Sequence, residues 1–553
     1  MSFFLATVPA GTQLYHGTGK RDPIEGMQWL AFEPEHALIF ARPRRGPPPG
    51  EDDRPPKDGE GHMENDMVHE PWHSLPPPDG KEAGHGPDHK PRPAPPHDDK
   101  PEPKPNRPFD PGHPASPPGR SKPSPPSPPP HRERTRDSQK PLGLHDSKQE
   151  SDHGYLHTYV PKHPLRLLYV DGLSAGKTPN GTLDTQDKLL LNLTDTGGPM
   201  GGEIDRAIGM CNLTSTLWED KIDGILRMEG GFEIILCDFA KHLERTDVIT
   251  VTEDGKRGQP GSLGGGSYLK AVTSRYHGIG GERVTVHYED LVSVFGYPDV
   301  DGLFTNDVQS DYAMPRLQNV KDSDLLHIKD DITKMILGKD WEADTQTTNW
   351  QTVADMVVQR YSVSLHYLHT NQEIRKDKDA LAAYLTGLLR PFIDFTARDA
   401  VLETQRCVSQ VVPPLPSPPR PIASLAHGTL HAVTHHICDT LLSALSIASS
   451  STPHSSFTSV YAAHAFELID DLVNYLQWTT WKQCGTCQDD EVCFIPIWPS
   501  GSHEDHAQPR CLTEQASRER NGYWGQRMGP PRDGKHPKDG GPSKKGRKGM
   551  RKW

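Results

Sequence analysis

The strongest constraint on this chain is its proline distribution: 30 of its 55 prolines fall between Pro43 and Pro141. That stretch is also crowded with Asp, Glu, Lys, Arg, His and Gly and holds almost no Ile, Val or Phe. Such a segment cannot bury enough apolar surface to offset the entropy of ordering it, and proline cannot donate to a helix or sheet ladder. A disordered insertion over residues 43–150 is therefore expected, with folded sequence on both sides. The insertion explains why only 33% of the 553 residues are hydrophobic, against about 45–50% in an ordinary globular chain. The remaining sequence has normal globular composition and room for two or three domains.

Residues 1–42 alternate strand and helix signals. Thr12 to His16 reads as a strand ending in the turn Gly17-Thr18-Gly19, and Gln28 to Phe32 as a second strand. Glu33 to Ala41 reads as a helix with proline in its first turn. Order returns after the insertion with β-branched and aromatic runs at Gly154 to Val160 and Leu165 to Val170. A helix over Glu203 to Glu219, a segment from Asp223 to Met228 and the strand Phe232 to Cys237 follow. A glycine-rich loop, Gly255 to Gly266, closes this region. The expected fold is an α+β N-terminal domain built from residues 1–42 and 151–250. Residues 251–319 read as a linker with a hairpin. A mostly α-helical region covers 320–483, with helical periodicity over Trp350 to Tyr367, Leu381 to Phe395, Leu430 to Ser449 and Val460 to Trp481, interrupted by a linker at Pro413 to Pro421. A cysteine-rich segment covers 484–511, and a disordered basic tail 512–553.

The eight cysteines are Cys211, Cys237, Cys407, Cys438, Cys484, Cys487, Cys493 and Cys511. An even count, with glycosylation sequons at Asn180, Asn192 and Asn212, favours an extracellular or secretory-pathway protein. Met1 to Leu5 lacks a basic region and a full apolar core, so no signal peptide is evident and a start upstream of Met1 is expected. No apolar run approaches the ~20 residues of a membrane span. The formal charge of −13 argues for solubility. The basic tail from Lys535 to Lys552 is read as a solvated end, so no specific nucleic-acid partner is expected.

Cys484-x-x-Cys487 with Cys493 and Cys511 fits either a zinc site or two disulfides. The redox argument favours disulfides and leaves three connectivities open. His431 and His435 have the i, i+4 spacing of a metal pair, with His436 and Cys438 beside them, but no glutamate follows His431 as a metalloprotease pattern requires. No metal is expected.

Three N-terminal pieces stand out together: Leu14-Tyr15-His16-Gly17-Thr18, Trp29-Leu30-Ala31-Phe32 with its helix to Ala41, and Glu233 on its strand. This ordered set resembles the ADP-ribosyltransferase fold of the His-Tyr-Glu type, which includes the poly-ADP-ribose polymerases. The resemblance covers residues 5–245 in outline; family members usually carry Tyr where Trp29 stands. It implies NAD as substrate. His16 would hold the adenosine-side ribose, the backbone at Gly17 would clamp the nicotinamide amide, Trp29 would stack on the nicotinamide, and Glu233 would be the catalytic carboxylate at the nicotinamide ribose. Glu229, four residues earlier, competes for that last role. A fixed carboxylate suits the oxocarbenium character that develops as the glycosidic bond breaks. The phrases Leu5 to Thr12, Gly26 to Ala37, Gly231 to Cys237 and Phe494 to Pro499 also resemble an uncharacterised fungal family of secreted or surface proteins, which implies no activity.

Two functions follow. One is an ADP-ribosyltransferase or NAD glycohydrolase acting on water or a protein acceptor. It requires His16, Trp29 and Glu233 to face one open cleft. The other is a non-catalytic secreted or cell-surface protein that uses the fold as a scaffold for extracellular partners, and burial of Glu233 favours it.

Overall fold

The computed structural model describes residues 1–42, 153–193, 202–251, 280–304, 314–343, 348–413, 424–450, 458–496 and 501–520, except Pro179, Gly230 and Glu519, and also describes Tyr268, Lys270 and Ala271. The expected insertion, the glycine-rich loop and the basic residues beyond 520 lie outside these.

Nine strands form one curled sheet: β1 (Ser2–Val8), β2 (Leu14–Thr18), β3 (Gln28–Ala31), β4 (Tyr155–Pro161), β5 (Leu165–Val170), β6 (Gly224–Met228), β7 (Phe232–Leu236), β8 (Leu243–Thr250) and β9 (Thr285–Ser293). Their spatial order is β8-β4-β2-β3-β7-β6-β5-β1-β9, and every pairing is antiparallel except that of β5 with β6. The sheet therefore runs past the expected boundary at 250, because β9 completes it along β1. β1 itself, not read above as a strand, is an interior strand with Phe3, Leu5, Ala6 and Val8 fully buried. A strand buried on both faces loses the apolar–polar alternation by which strands are recognised.

One face of the sheet closes over a core made almost wholly of strand residues, including Leu14, Leu30, Tyr159, Leu167, Leu226 and Ile234. The other face carries helices. On it Leu168, Ile225 and Ile235 pack with Met210 of α2 (Glu203–Ser215) and with Ile328, Ile332 and Ile336 of α4 (Asp322–Leu337). Two short helices join strands, α1 (Pro34–Leu38) after β3 and α3 (Phe239–His242) after β7. α4 thus serves the sheet rather than the helical region to which its position in the sequence assigns it.

The helical region is α5 (Trp350–Thr370), α6 (Lys378–Leu389), α7 (Ala400–Ser409), α8 (Ser424–Ser449) and α9 (Thr458–Leu476). Tyr361, Leu365 and Leu368 on α5 and Leu381, Leu385 and Leu389 on α6 are wholly buried in one core, as helical periodicity requires. Asn349, Asp377 and Asp399 cap α5, α6 and α7 through backbone N–H groups of the first turn. Cys407 is disulfide-bonded to Cys438, tying α7 to α8. At the end, β10 (Glu491–Phe494) pairs with β11 (Arg510–Thr513), flanked by α10 (His503–Ala507) and α11 (Glu514–Arg518). Order thus continues to 518, past the expected start of the tail at 512. No helix among the described residues is long and apolar enough to cross a membrane.

Candidate functional site

The β6–β7 hairpin organises the most highly charged part of the interior. Register places Tyr15 opposite Ala31, Ala31 opposite Glu233 and Glu233 opposite Arg227. Directly paired residues share a face, so this row points toward α1 and α2. Arg227 is fully buried. Its Nε donates to Glu233 Oε1 at 2.9 Å and its Nη1 to Gln186 Oε1 at 2.8 Å, and its Nη2 is shared between Glu233 and Glu203 of α2. Arg206, also fully buried, pairs with Asp187 and Glu203. Lys177 approaches Glu229 Oε1 at 3.5 Å.

Buried charges survive only when paired and hydrogen-bonded, and this network distributes them unequally. Burial alone would raise the Glu203 carboxyl, but Arg227, Lys177 and Arg206 hold it down at about 2. Burial pushes Glu229 up to about 7, with Glu233 and Glu203 adding to the rise and Lys177 opposing it. One carboxyl is therefore fixed as an anion while another titrates near neutrality. His36 of α1 completes the cluster. Its Nδ1 lies 2.8 Å from the Tyr268 hydroxyl. Its Nε2 is buried without a hydrogen-bond partner among the described residues, 3.9 Å from Glu233 Oε2. Burial and Lys177 keep this imidazole neutral to lower pH than usual, against the pull of Glu233. Ligand atoms of His36, Glu229 and Glu233 lie within 4.8 Å of one another, but Arg227 and Lys177 already supply the positive charge there.

The sequence-expected residues distribute differently. Trp29 pairs with Ile235 and so shares the Glu233 face, where it packs half-buried against the apolar cluster. His16 follows Tyr15 and points to the opposite face. Its ring meets Phe239 and His157, with centroids 5.6 and 6.4 Å away, and its Nδ1 lies 2.8 Å from the Trp29 carbonyl oxygen. The expectation that His16, Trp29 and Glu233 face one cleft is thus corrected by strand alternation: His16 and Glu233 stand on opposite sides of the sheet. Gly17 lies against α1. A Cβ there would come within 1.9 Å of the Ala37 carbonyl oxygen, so only glycine allows this approach. Glu233 itself is 6% exposed. Glu229, flagged through its spacing, does join Glu233. Lys177, Glu203, Arg227 and His36 were not singled out; a charged residue opposite a strand glutamate is the one signal that could have found Arg227.

The remaining candidates resolve as follows. Asn192 is exposed in the left-handed conformation, with φ 51°, and Asn212 is exposed on α2. The Asn180 Nδ2 is shut off from solvent. Cys211–Cys237, Cys484–Cys493 and Cys487–Cys511 are disulfides, so with Cys407–Cys438 all eight cysteines are paired, and the zinc alternative at residues 484–511 loses its thiolates. His431 and His435 lie on an exposed face of α8 with ring centroids 6.2 Å apart.

No solved structure matches this chain. Two proteins of Saccharomyces cerevisiae, Uncharacterized protein YPL277C and Uncharacterized protein YOR389W, are each 37% identical to it over 95 residues. The match covers 16% of this chain and 18% and 14% of theirs, so the chain spans less than a fifth of the length of these relatives. Residues 1–256 match the family described as the YPL277C N-terminal domain. These matches support assigning the sheet-forming N-terminal segment to an uncharacterised fungal family.

Proposed function

We propose that the sheet domain cleaves an N-glycosidic bond of the NAD type, as a glycohydrolase or ADP-ribosyltransferase, with Glu233 and Glu229 as its working carboxylates and without the His16 contact that the family resemblance implies, since His16 faces the other side of the sheet. The observation that carries this reading is the convergence of two buried glutamates from one hairpin, one ion-paired to Arg227 and the other beside Lys177. Environments that drive neighbouring carboxyls apart in protonation, here Glu203 downward and Glu229 upward, mark acid–base sites.

The chemistry assigns each a task. As the bond from ribose C1′ to the nicotinamide nitrogen breaks, its electron pair leaves with nicotinamide and neutralises the pyridinium. No general acid is needed. Glu233, ion-paired to Arg227, stabilises the positive charge developing on the ribose. The oxygen of water or of an acceptor hydroxyl bonds to C1′, and its proton passes to Glu229, whose pKa of about 7 suits a base at neutral pH. Substrate would approach from the Glu203 side, where that carboxylate is 20% exposed. Pairing of all eight cysteines supports an oxidising, extracellular or secretory compartment for this activity.

The alternative, a non-catalytic secreted or cell-surface scaffold for protein partners, is favoured by one observation: the near-complete burial of Glu233 with His16 on the far face. Nicotinamide release by the purified chain, beside Glu233→Gln and Glu229→Gln variants, separates the two. The enzyme reading expects release that falls at least 100-fold in Glu233→Gln. No release, together with no NAD binding by calorimetry, would establish the scaffold.

A further inference from the structure

A second cluster lies away from the hairpin, where the β4–β5 turn crosses α3. The backbone N–H of Lys162 donates to the His242 carbonyl at 2.9 Å, and Lys162 Nζ to the Ala240 carbonyl at 2.7 Å, pinning the turn to the helix. This brings His163 Nε2 to 3.0 Å from His242 Nδ1. His163 is exposed, whereas His242 is 3% exposed. The other nitrogen of His242 faces Asp223 Oδ1 at 3.8 Å. Asp223 is held by Arg166, whose Nη2 donates to Oδ1 at 2.6 Å and whose backbone N–H donates to Oδ2 at 2.8 Å. A cavity of about 350 Å³ opens beside Asp223 and His242, with Asp220, Asp238 and Lys241 also on its wall.

We propose that His163 and His242 chelate one divalent transition ion of the zinc type, through Nε2 and Nδ1 respectively, with Asp223 as the outer carboxylate that orients His242. With metal–nitrogen bonds of about 2.0–2.1 Å, a tetrahedral ion sets its two nitrogens about 3.3 Å apart. The observed 3.0 Å separation needs only a small opening to admit the ion. A carboxylate facing the non-ligating nitrogen of a metal-bound histidine fixes its tautomer and ring orientation. Ligands drawn from a turn and a helix end would make the ion a clasp between them. The remaining coordination positions face outward at the exposed His163, where water fills them. Borderline metals with imidazole donors fit this pair better than the hard oxygen-seeking ions.

Zinc titration of the full chain by calorimetry, with the cobalt ligand-field spectrum as a second readout, tests the site. His163→Ala is the informative variant, because His163 is exposed and its loss leaves the metal-free fold intact. A His431→Ala/His435→Ala chain serves as the control for the histidine face of α8. The expected result is one equivalent lost, or affinity reduced at least tenfold, in His163→Ala and unchanged in the control at the same site. Zinc and cobalt titrations of His163→Ala that superimpose on those of the unaltered chain would overturn the assignment. So would binding that disappears only in the α8 variant, or no zinc uptake by the unaltered chain at 100 µM.

Discussion

The two folded regions keep their interiors by opposite means. In the helical region the core is aliphatic and aromatic, and the one deeply buried carboxylate among its described residues, Glu403, is forked by Arg398 close by in sequence. In the sheet domain Arg206, Arg227, Glu229, Glu233, Asp223, His36, His157 and His242 are all buried, and most of their partners come from remote parts of the chain. A dry core needs only periodicity. A charged interior needs register, because each ion must meet its partner. Burying charge is seldom the most stabilising choice, so its concentration in the sheet domain supports placing the proposed chemistry there.

Four experiments test that contrast, beginning with the largest effect. Arg227→Met leaves the buried Glu233 without its ion-pair partner and should cost about 3–5 kcal/mol, read as a fall in the denaturation midpoint of the sheet domain. An unchanged midpoint would mean that the network is hydrated and weak. Leu365→Ala, in the dry core, should cost about 2–5 kcal/mol. That loss should be the same at pH 5 and pH 8, since the described residues of this core are aliphatic, aromatic and disulfide-bonded.

The third experiment compares pH dependence. Glu229 is raised from 4.5 to about 7 by folding, so the folded state binds its proton more tightly than the unfolded state does. The stability this contributes is complete below pH 4.5 and is lost as pH rises through about 7. Glu229→Gln should therefore flatten the decline between pH 5 and pH 8, and a slope equal to that of the unaltered chain would contradict the assignment. Glu203, lowered to about 2, acts in the opposite sense: its contribution is present above pH 4.5 and fades as pH falls toward 2. Smallest is Asp399→Ala, which removes the cap bonded to the N–H groups of Val401 and Leu402. About 1 kcal/mol should be lost from the helical region alone.

What could be read in advance divides along the same line. The helices α5, α6, α8 and α9 announce themselves by periodicity, and β2 to β5 and β7 by β-branched and aromatic runs, whereas β6 and β8 were not singled out as strands. β1 and β9 were not read as sheet strands, since the first lacks alternation and the second carries Tyr288, Glu289 and Asp290 in a half-buried stripe. The site was half legible. Glu229 and Glu233 could be seen as a pair, but pairing of Arg227 with Glu233 depends on a register that sequence does not display. A one-residue slip exchanges the faces of a strand, and the same alternation that sends Tyr15 toward Glu233 sends His16 away from it.

The close approach of Gly154 to Ala41 has a wider consequence. A Cβ on Gly154 would fall 1.9 Å from the Ala41 carbonyl oxygen, and the Gly154 carbonyl accepts from the Val251 N–H. The chain therefore leaves the sheet domain and re-enters it at a single point. Closing a connection costs only about 0.6 kcal/mol more for each doubling of its length. A change in the length of the connection between these two residues should therefore cost the sheet domain only about that much. A reporter inserted between them should leave the sheet domain's stability nearly unchanged.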